Sequence, residues 1–403
     1  MISRALLHWT LVGTVCGLFA ALYWHVLGLM THGLQRFGGL SLLIVMPLAG
    51  LVVGLVIHFL GNPGEIAVIV DNIHSRGGRM DARKNPSMIL ASLVSISAGG
   101  SAGPEAPLVQ VTGSFGTWVA DYLKLKGEDL RTMSLTAMAA GFTALFGAPL
   151  GGAMFALEIL HHQHIVEYYE ALMPAIVSSC ASYLVFAVIT HLGIAPTWHF
   201  PEYRLDNIND FALAILFGII GALAAWIFMG IFRSCARLFA WLAVPIYLRT
   251  TLAGLALGSL ALLFPLTRYF GQEELNEVIN TSFPAMILLA LAFAKMVAIS
   301  FTVTGGWPGG FIIPLFLTGA CIGKAIAVLI PGLNPAFAMI CTMASLNAAV
   351  TRTPVSTTLL LTQLTNINSL TPILFASLIG FFLAPKAPLI GSQLKSPREE
   401  IAE

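Results

Sequence analysis

A pattern of small residues in the first half of this chain returns in the second half, about 205 residues later. Leu48-Ala49-Gly50-Leu51, followed by Gly54, is matched by Leu252-Ala253-Gly254-Leu255 and Gly258, at an offset of 204. Gly17, Ala20 and Ala21 are matched by Gly221, Ala224 and Ala225 at the same offset. Gly103 and Pro107 face Gly309 and Pro314, at offsets of 206 and 207. Ala148-Pro149-Leu150 with Glu158 faces Thr353-Pro354-Val355 with Gln363, at 205. One match between small residues means little in an apolar chain. Four in order at a nearly constant offset imply two related halves, residues 1–200 and 201–403.

The medium those halves occupy follows from charge. Only 10% of the 403 residues are charged and 57% are apolar, whereas an average soluble domain is about a quarter charged. Twenty Lys+Arg and 19 Asp+Glu cannot cover a soluble globule of this length. The net charge of +1 gives no footprint for nucleic acid. Apolar stretches at Leu6–Met30, Gly38–Leu60, Phe211–Phe232, Leu252–Phe264 and Ala285–Val303 approach or exceed the roughly 20 residues that cross a bilayer. The first reads as a mature helix rather than a cleaved leader, because no small-residue cleavage site precedes a soluble body. The expected fold is an all-α polytopic membrane protein. Charge gathers in Glu65–Lys84, Lys124–Arg131 and Lys395–Glu403, and the basic residues of the first segment favour the cytoplasmic side. The five cysteines show no metal-ligand spacing and read as small core residues.

Each half carries one apolar segment broken by glycine and proline. The first is Ser97-Ala98-Gly99-Gly100-Ser101-Ala102-Gly103-Pro104-Glu105-Ala106-Pro107. The second is Thr304-Gly305-Gly306-Trp307-Pro308-Gly309-Gly310-Phe311-Ile312-Ile313-Pro314. Neither can be a continuous helix. Glycine before and proline inside the first turn are start signals, so both read as loops opening into helices that begin within the membrane. Transporters built of inverted repeats bind substrate where such discontinuous helices meet near the midplane.

A helix start exposes up to four unpaired N–H groups and about half a positive charge. Two starts converging across a repeat axis form a site for an anion. Neither segment contains Lys or Arg. Backbone dipoles alone suit a small monovalent anion that must also leave, because conduction requires binding weak enough for release. Glu105 is the one ionisable residue in either segment, and an intramembrane carboxylate is a functional candidate by default. Ionised, it can occupy the anion site. Protonated, it can leave it.

The run Ser101-Ala102-Gly103-Pro104-Glu105-Ala106-Pro107, continuing to Gly116, resembles the signature of the CLC family of chloride channels and chloride/proton antiporters. The stretch Ala139-Ala140-Gly141 to Gly152 is similar to the segment C-terminal to that signature in the family. Gly309-Gly310-Phe311-Ile312-Ile313-Pro314 resembles the family's second signature, and Ala348-Ala349 with Arg352 and Pro354 its continuation. The resemblance covers roughly residues 10–390. It implies a homodimer in a bacterial inner membrane, one anion pathway per subunit and no cofactor. It implies that Glu105 is the gating, proton-accepting glutamate, and that backbone around Gly103, Pro104, Ala106, Gly310, Phe311, Ile312 and Ile313 faces the anion.

Four positions depart from the family pattern, the first being the Phe of the second signature, which is shifted to Phe311 and leaves Ile312 in its place. The family's Ser loop is replaced by Gly61-Asn62-Pro63-Gly64, where Asn62 offers an amide N–H. The family's Tyr near the C-terminus is replaced by Ile390. The inner proton position falls on Ile159, next to Glu158. Fluoride therefore stays open beside chloride, and a passive anion channel stays open beside proton exchange. His161-His162-Gln163-His164 lacks zinc-ligand spacing and reads as a helix-end cluster beside Tyr168 and Tyr169. Lys295, inside an apolar stretch, reads as half of an ion pair or as a source of positive potential. An intramembrane hydrolase would need a second catalytic group at fixed spacing, and neither segment supplies one. A cation-coupled carrier would be distinguished by sodium dependence.

Overall fold

The computed structural model describes residues 2–64, 77–159, 165–192, 196–201, 203, 208–367, 370–390 and 393. Fifteen α-helices lie among them. They are α1 (Ile2–Leu34), α2 (Leu42–Leu60), α3 (Asn85–Ser97), α4 (Glu105–Tyr122), α5 (Glu128–Phe146), α6 (Pro149–Glu158), α7 (Ile165–Thr190) and α8 (Asn209–Leu242). The second half continues with α9 (Ile246–Leu263), α10 (Gln272–Asn280), α11 (Ala285–Thr304), α12 (Ile312–Leu329), α13 (Pro335–Thr351), α14 (Pro354–Leu364) and α15 (Leu370–Phe382). Among the described residues, extended pairing is limited to two isolated bridges. The all-α expectation holds.

The internal repeat is visible in how these helices pack. In the first half, α1 packs on α5 and α7, α4 on α5, and α6 on α5 and α7. In the second half the corresponding pairs recur: α8 on α13 and α15, α12 on α13, and α14 on α13 and α15. The helices α4 and α12, each of 18 residues, both open directly from a broken segment.

Their relative orientation is set by glycine contacts. Helices α2 and α9 occupy equivalent places in the two halves and pack on each other. Gly50 lies against Thr250 and Gly54 against Tyr247, while Gly254 lies against Met46 and Gly258 against Leu42. Rising numbers on α2 thus meet falling numbers on α9, so the pair is antiparallel and the second half is inverted relative to the first. Close approach of this kind requires small residues, since in lipid helix association rests on packing rather than on expelling water. The Gly13 and Gly17 positions do the same for α1 against Ser178 and Ser182 of α7.

Burial sorts the helices by depth. Among the described residues, seven helices are long and apolar enough to cross a membrane. The most apolar windows of α1, α2, α7 and α9 are only 33% buried, and Leu22, Ile44, Phe59 and Leu184 project outward from the first three. The α11 and α12 windows are 61% and 72% buried. The protein therefore turns a lipid-matching surface outward and keeps α11 and α12 inside, where the broken segments lie. Cys16, Cys235, Cys321 and Cys341 are buried as expected, and Cys180 is exposed.

Two buried lysines fix the short helix α10. Lys295 Nζ donates to the carbonyls of Thr267, Arg268 and Tyr269 at 3.1, 3.3 and 2.8 Å. Lys324 Nζ donates to the carbonyls of Val278, Ile279 and Thr281. Lys295 is thus bonded to backbone acceptors before α10, with the Glu274 carboxylate of α10 near enough to interact with its charge. Lys324 satisfies the carbonyls left open at the end of α10.

Candidate functional site

The two broken segments meet. Gly103 N–H donates to the Gly310 carbonyl at 2.8 Å, and Gly310 N–H donates to the Gly103 carbonyl at 2.7 Å. This reciprocal antiparallel bridge joins the halves across the repeat axis. It pairs Gly103 with Gly310, an offset of 207, so the sequence match of Gly103 to Gly309 is one residue out of register. At the corrected offset Ser97 and Thr304 both end helices, and Glu105 and Ile312 both begin them. Gly99 and Gly306 both take left-handed backbone, φ +108° and +90°. Each turns the chain sharply after its helix, a conformation that costs glycine little. The bridge also alters the expected site. The amides of Gly103 and Gly310 are consumed by each other, so these residues wall the pocket rather than donate into it.

Glu105 stands at the first turn of α4 and is 1% exposed. Its carboxylate reaches across to the other half, where Oε1 accepts from Ile313 N–H of α12 at 3.2 Å. A negative group at that helix start is favoured by the axial dipole. Oε2 is buried without a hydrogen-bond partner in the structure. The carboxylate is wedged between Gly103 and Gly310, and a Cβ at either glycine would overlap it. Phe311, Ile312 and Ile313 are buried around the same helix start. Asn347 Nδ2 of α13 donates to the Ile312 carbonyl at 3.3 Å and steadies that start from behind.

The remaining candidates lie around this centre. Ala106 follows Glu105 in the first turn of α4, and with Asn62 it lines a cavity of about 80 Å³. Asn62 Oδ1 accepts from Gly64 N–H at 3.0 Å, which leaves the amide NH2 as the free end of that side chain. Ile390 is buried in the same apolar cluster as Ile312 and Ile313. Ile159 is in that cluster too, and its carbonyl accepts from Gln393 Nε2 at 2.9 Å. Glu158 is engaged elsewhere. Its carboxylate accepts from Val355 N–H at 2.9 Å and Ser356 N–H at 2.7 Å, so it caps the start of α14. The histidine cluster at 161–164 lies outside the described residues. Among those described, no group of His, Cys, Asp or Glu is placed to hold a metal.

Two arginines near the broken segments were missed in the sequence. Arg249 Nε donates to the carbonyl of Thr304, the last residue of α11, at 3.0 Å. Arg268 lies against Gly99, and its Nη2 donates to the Tyr269 hydroxyl at 2.7 Å. Each stands far along the chain from the segment it approaches, or outside its motif, so no spacing signal marked either.

Two helices that begin inside the bilayer and face one carboxylate, at the axis of an inverted repeat, define a class: the membrane proteins that transport small anions through paired broken helices. The family model described as voltage gated chloride channel matches residues 60–385, and the chain belongs to that family. An uncharacterised protein of Methanocaldococcus jannaschii is 31% identical over 294 residues, 73% of this chain and 72% of that protein. A chloride/fluoride channel protein of Pseudomonas syringae pv. tomato is 28% identical over 299 residues, 71% of this chain and 64% of that protein. An H+/Cl− exchange transporter of Vibrio cholerae serotype O1 is 28% identical over 315 residues, 73% of this chain and 67% of that protein. The crystal structure of a CLC-type fluoride/proton antiporter matches with a TM-score of 0.86 over 97% of this chain and 98% of that one, at 20% identity. That of a slow cyanobacterial Cl−/H+ antiporter matches with 0.84 over 99% and 98%, also at 20%. The fold is shared with both. The chain is a multi-pass membrane protein of anion-transport type.

Proposed function

We propose that the protein exchanges a small monovalent anion, chloride or fluoride, for protons, with Glu105 as both gate and proton acceptor. The reading is carried by the bond from Ile313 N–H to Glu105 Oε1, because it puts a protein carboxylate where a free anion would meet the positive start of α12. Ionised, Glu105 competes with the anion for that N–H. A proton on the carboxylate removes the charge and weakens its hold on the helix start, so the anion takes the place and the acid side chain swings aside. Loss of the proton reverses the step. Phe311, Ile312, Ile313 and Ala106 supply the backbone donors, and Asn62 a side-chain amide. Gly103, Pro104 and Gly310 form the walls, with Ile390 on the apolar side. The two halves at 1–200 and 201–403 each contribute one broken helix, and a homodimer in a bacterial inner membrane, with one pathway per subunit, completes the reading.

A second reading, a passive anion channel, is favoured by one observation. At the inner proton position Ile159 is buried and apolar, and neighbouring Glu158 is occupied by the start of α14. Purified protein in liposomes separates the readings. Under exchange, an outward chloride or fluoride gradient drives protons uphill, and Glu105→Gln stops the protons while anion flux persists. If Glu105→Gln still moves protons against a gradient, Glu105 is not the carrier. Anion flux without proton movement in the unaltered protein assigns it to the channels.

A further inference from the structure

Two hydrogen bonds at the start of α12 fall on one peptide group. Ile313 N–H donates to Glu105 Oε1 at 3.2 Å, and the carbonyl of the same peptide, on Ile312, accepts from Asn347 Nδ2 at 3.3 Å. The carboxylate of α4 and the side-chain amide of α13 therefore stand at opposite ends of a single planar unit. Close packing brings them there. Gly319 of α12 lies against Met343 of α13, and Gly323 against Ala338. The two helices thus run antiparallel, and the end of α13 reaches the start of α12.

Stability does not call for this amide. Ile312 is the first residue of α12, so its carbonyl already accepts the N–H four residues on. Asn347 is 1% exposed, and its Oδ1 is buried without a hydrogen-bond partner. An apolar side chain there would strand no acceptor, whereas a buried polar atom left unpaired is a standing cost. The effect of the amide is electrical. It holds the positive end of its dipole on the carbonyl and polarises the peptide, which makes the N–H at the far end a stronger donor. Hydrogen bonds in such a chain strengthen one another by about 10–30% per bond in a low-dielectric interior.

We propose that Asn347 is a positioning residue for transport: acting through the Ile312–Ile313 peptide, it sets how strongly the α12 start holds ionised Glu105 and the anion that replaces it. The proposal rests on the anion-exchange reading and adds to it a side chain that bonds the peptide rather than the carboxylate. Both occupants meet the same N–H in turn. A stronger donor holds the anion longer, and it also holds the ionised carboxylate against protonation. One amide thereby adjusts anion affinity and the pH of gating together. Among the described residues, the carboxylate is hydrogen-bonded by backbone N–H groups. Tyr23 of α1, itself bonded to Ser92 Oγ at 2.8 Å, is a titratable side chain near enough to feel its charge.

The test is Asn347→Leu in purified protein in liposomes. It is read by the half-saturating concentration of chloride or fluoride and by the pH at which anion flux is half-maximal. Loss of the donor raises half-saturation about threefold. The pH midpoint rises by about half a unit, the same threefold expressed in protons. The sign follows from the N–H: a weaker donor favours the ionised carboxylate less, so Glu105 takes its proton at higher pH and admits the anion there. Asn347→Ala, which adds no bulk, must shift both readouts the same way. In a Glu105→Gln background the pH shift disappears with the titrating carboxylate, while the threefold loss of anion affinity stays. The amide-proton resonance of Ile313, assigned by its loss in Ile313→Val, moves upfield in Asn347→Leu. Folded Leu and Ala variants with unshifted half-saturation and pH midpoint overturn the proposal, even if their unfolding midpoints fall, because that would leave Asn347 a structural role alone. So does a shift in one readout without the other. An unaltered protein that moves neither anion overturns the exchange reading itself, and this role with it.

Discussion

Glu105 owes its resting position to two glycines. Gly103 and Gly310 leave open the space on either side of its carboxylate, and neither has the positive φ that would exclude alanine on backbone grounds. Alanine at position 310 brings its Cβ within 2.7 Å of the carboxylate carbon, closer than packed atoms tolerate. The flexible side chain must yield, because the bridge of main-chain bonds cannot. Gly310→Ala is therefore expected to hold Glu105 out of the α12 start. Anion flux persists while proton coupling falls toward zero, with a folding cost of about 1–3 kcal/mol for the added bulk. Paired measurements of anion and proton flux decide it, and unchanged coupling would mean the carboxylate does not rest between these glycines. Glu105 was legible in the sequence because a lone acid in an apolar, glycine-rich run has few structural uses. Arg249 was not. Its role depends on an α11 carbonyl 55 residues away, a contact no local spacing encodes.

At the scale of elements, helix starts and ends inside an apolar body each need a polar partner. Glycine and proline announced where α4 and α12 begin. They did not announce what would satisfy the other ends. Glu158, read as the neighbour of the inner proton position, caps α14, whose sequence lies almost 200 residues further on. Lys295 was expected to meet a carboxylate or the pathway; it interacts with the Glu274 carboxylate of α10 and also bonds three carbonyls preceding that helix. The span α12 is read from the sequence only as a broken start, although its mean hydropathy of 2.1 exceeds that of α9, at 1.5; Gly319 and Gly323 let it lie against α13. These lysine contacts carry a prediction. Lys295→Met keeps the shape of the side chain but leaves buried carbonyls unpaired, at about 1–3 kcal/mol for each one left unsatisfied. The midpoint of unfolding in detergent should fall by a corresponding amount. Lys324→Met should do likewise, because it frees the carbonyls at the other end of the same short helix. A Lys295→Met protein as stable as the parent would show that those carbonyls find other donors.

At the scale of the whole molecule, the fold is a near-symmetric frame with an asymmetric charge. The antiparallel contact of α2 with α9, and the reciprocal bridge between Gly103 and Gly310, relate the halves in space, while the carboxylate occurs in one half alone. Its symmetry mate is Ile312, at the first turn of α12, buried as Glu105 is. The sequence disclosed the repeat because close helix packing requires small residues at fixed positions within each half. It could not disclose the axis, which only the facing contacts reveal. The symmetry makes a further substitution informative. Ile312→Glu sets a second carboxylate at the mirror position, toward the pocket Glu105 already fills. Two like charges this close cannot both stay ionised at little cost, and while they do, they exclude a third anion. Anion flux at neutral pH should therefore fall at least about tenfold, the effect of roughly 1.4 kcal/mol of added repulsion. Acidification should restore it, because one shared proton still leaves the pair a single negative charge, and only a second proton, taken up at lower pH, reopens the site. The unaltered protein needs protonation of one carboxylate to admit the anion, and the variant needs more of it, so its flux must recover at lower pH than the parent's. Flux measured across a pH series in liposomes checks both parts. Parental flux at neutral pH in a folded Ile312→Glu protein would place position 312 outside the pathway and would break the link between the repeat axis and the site.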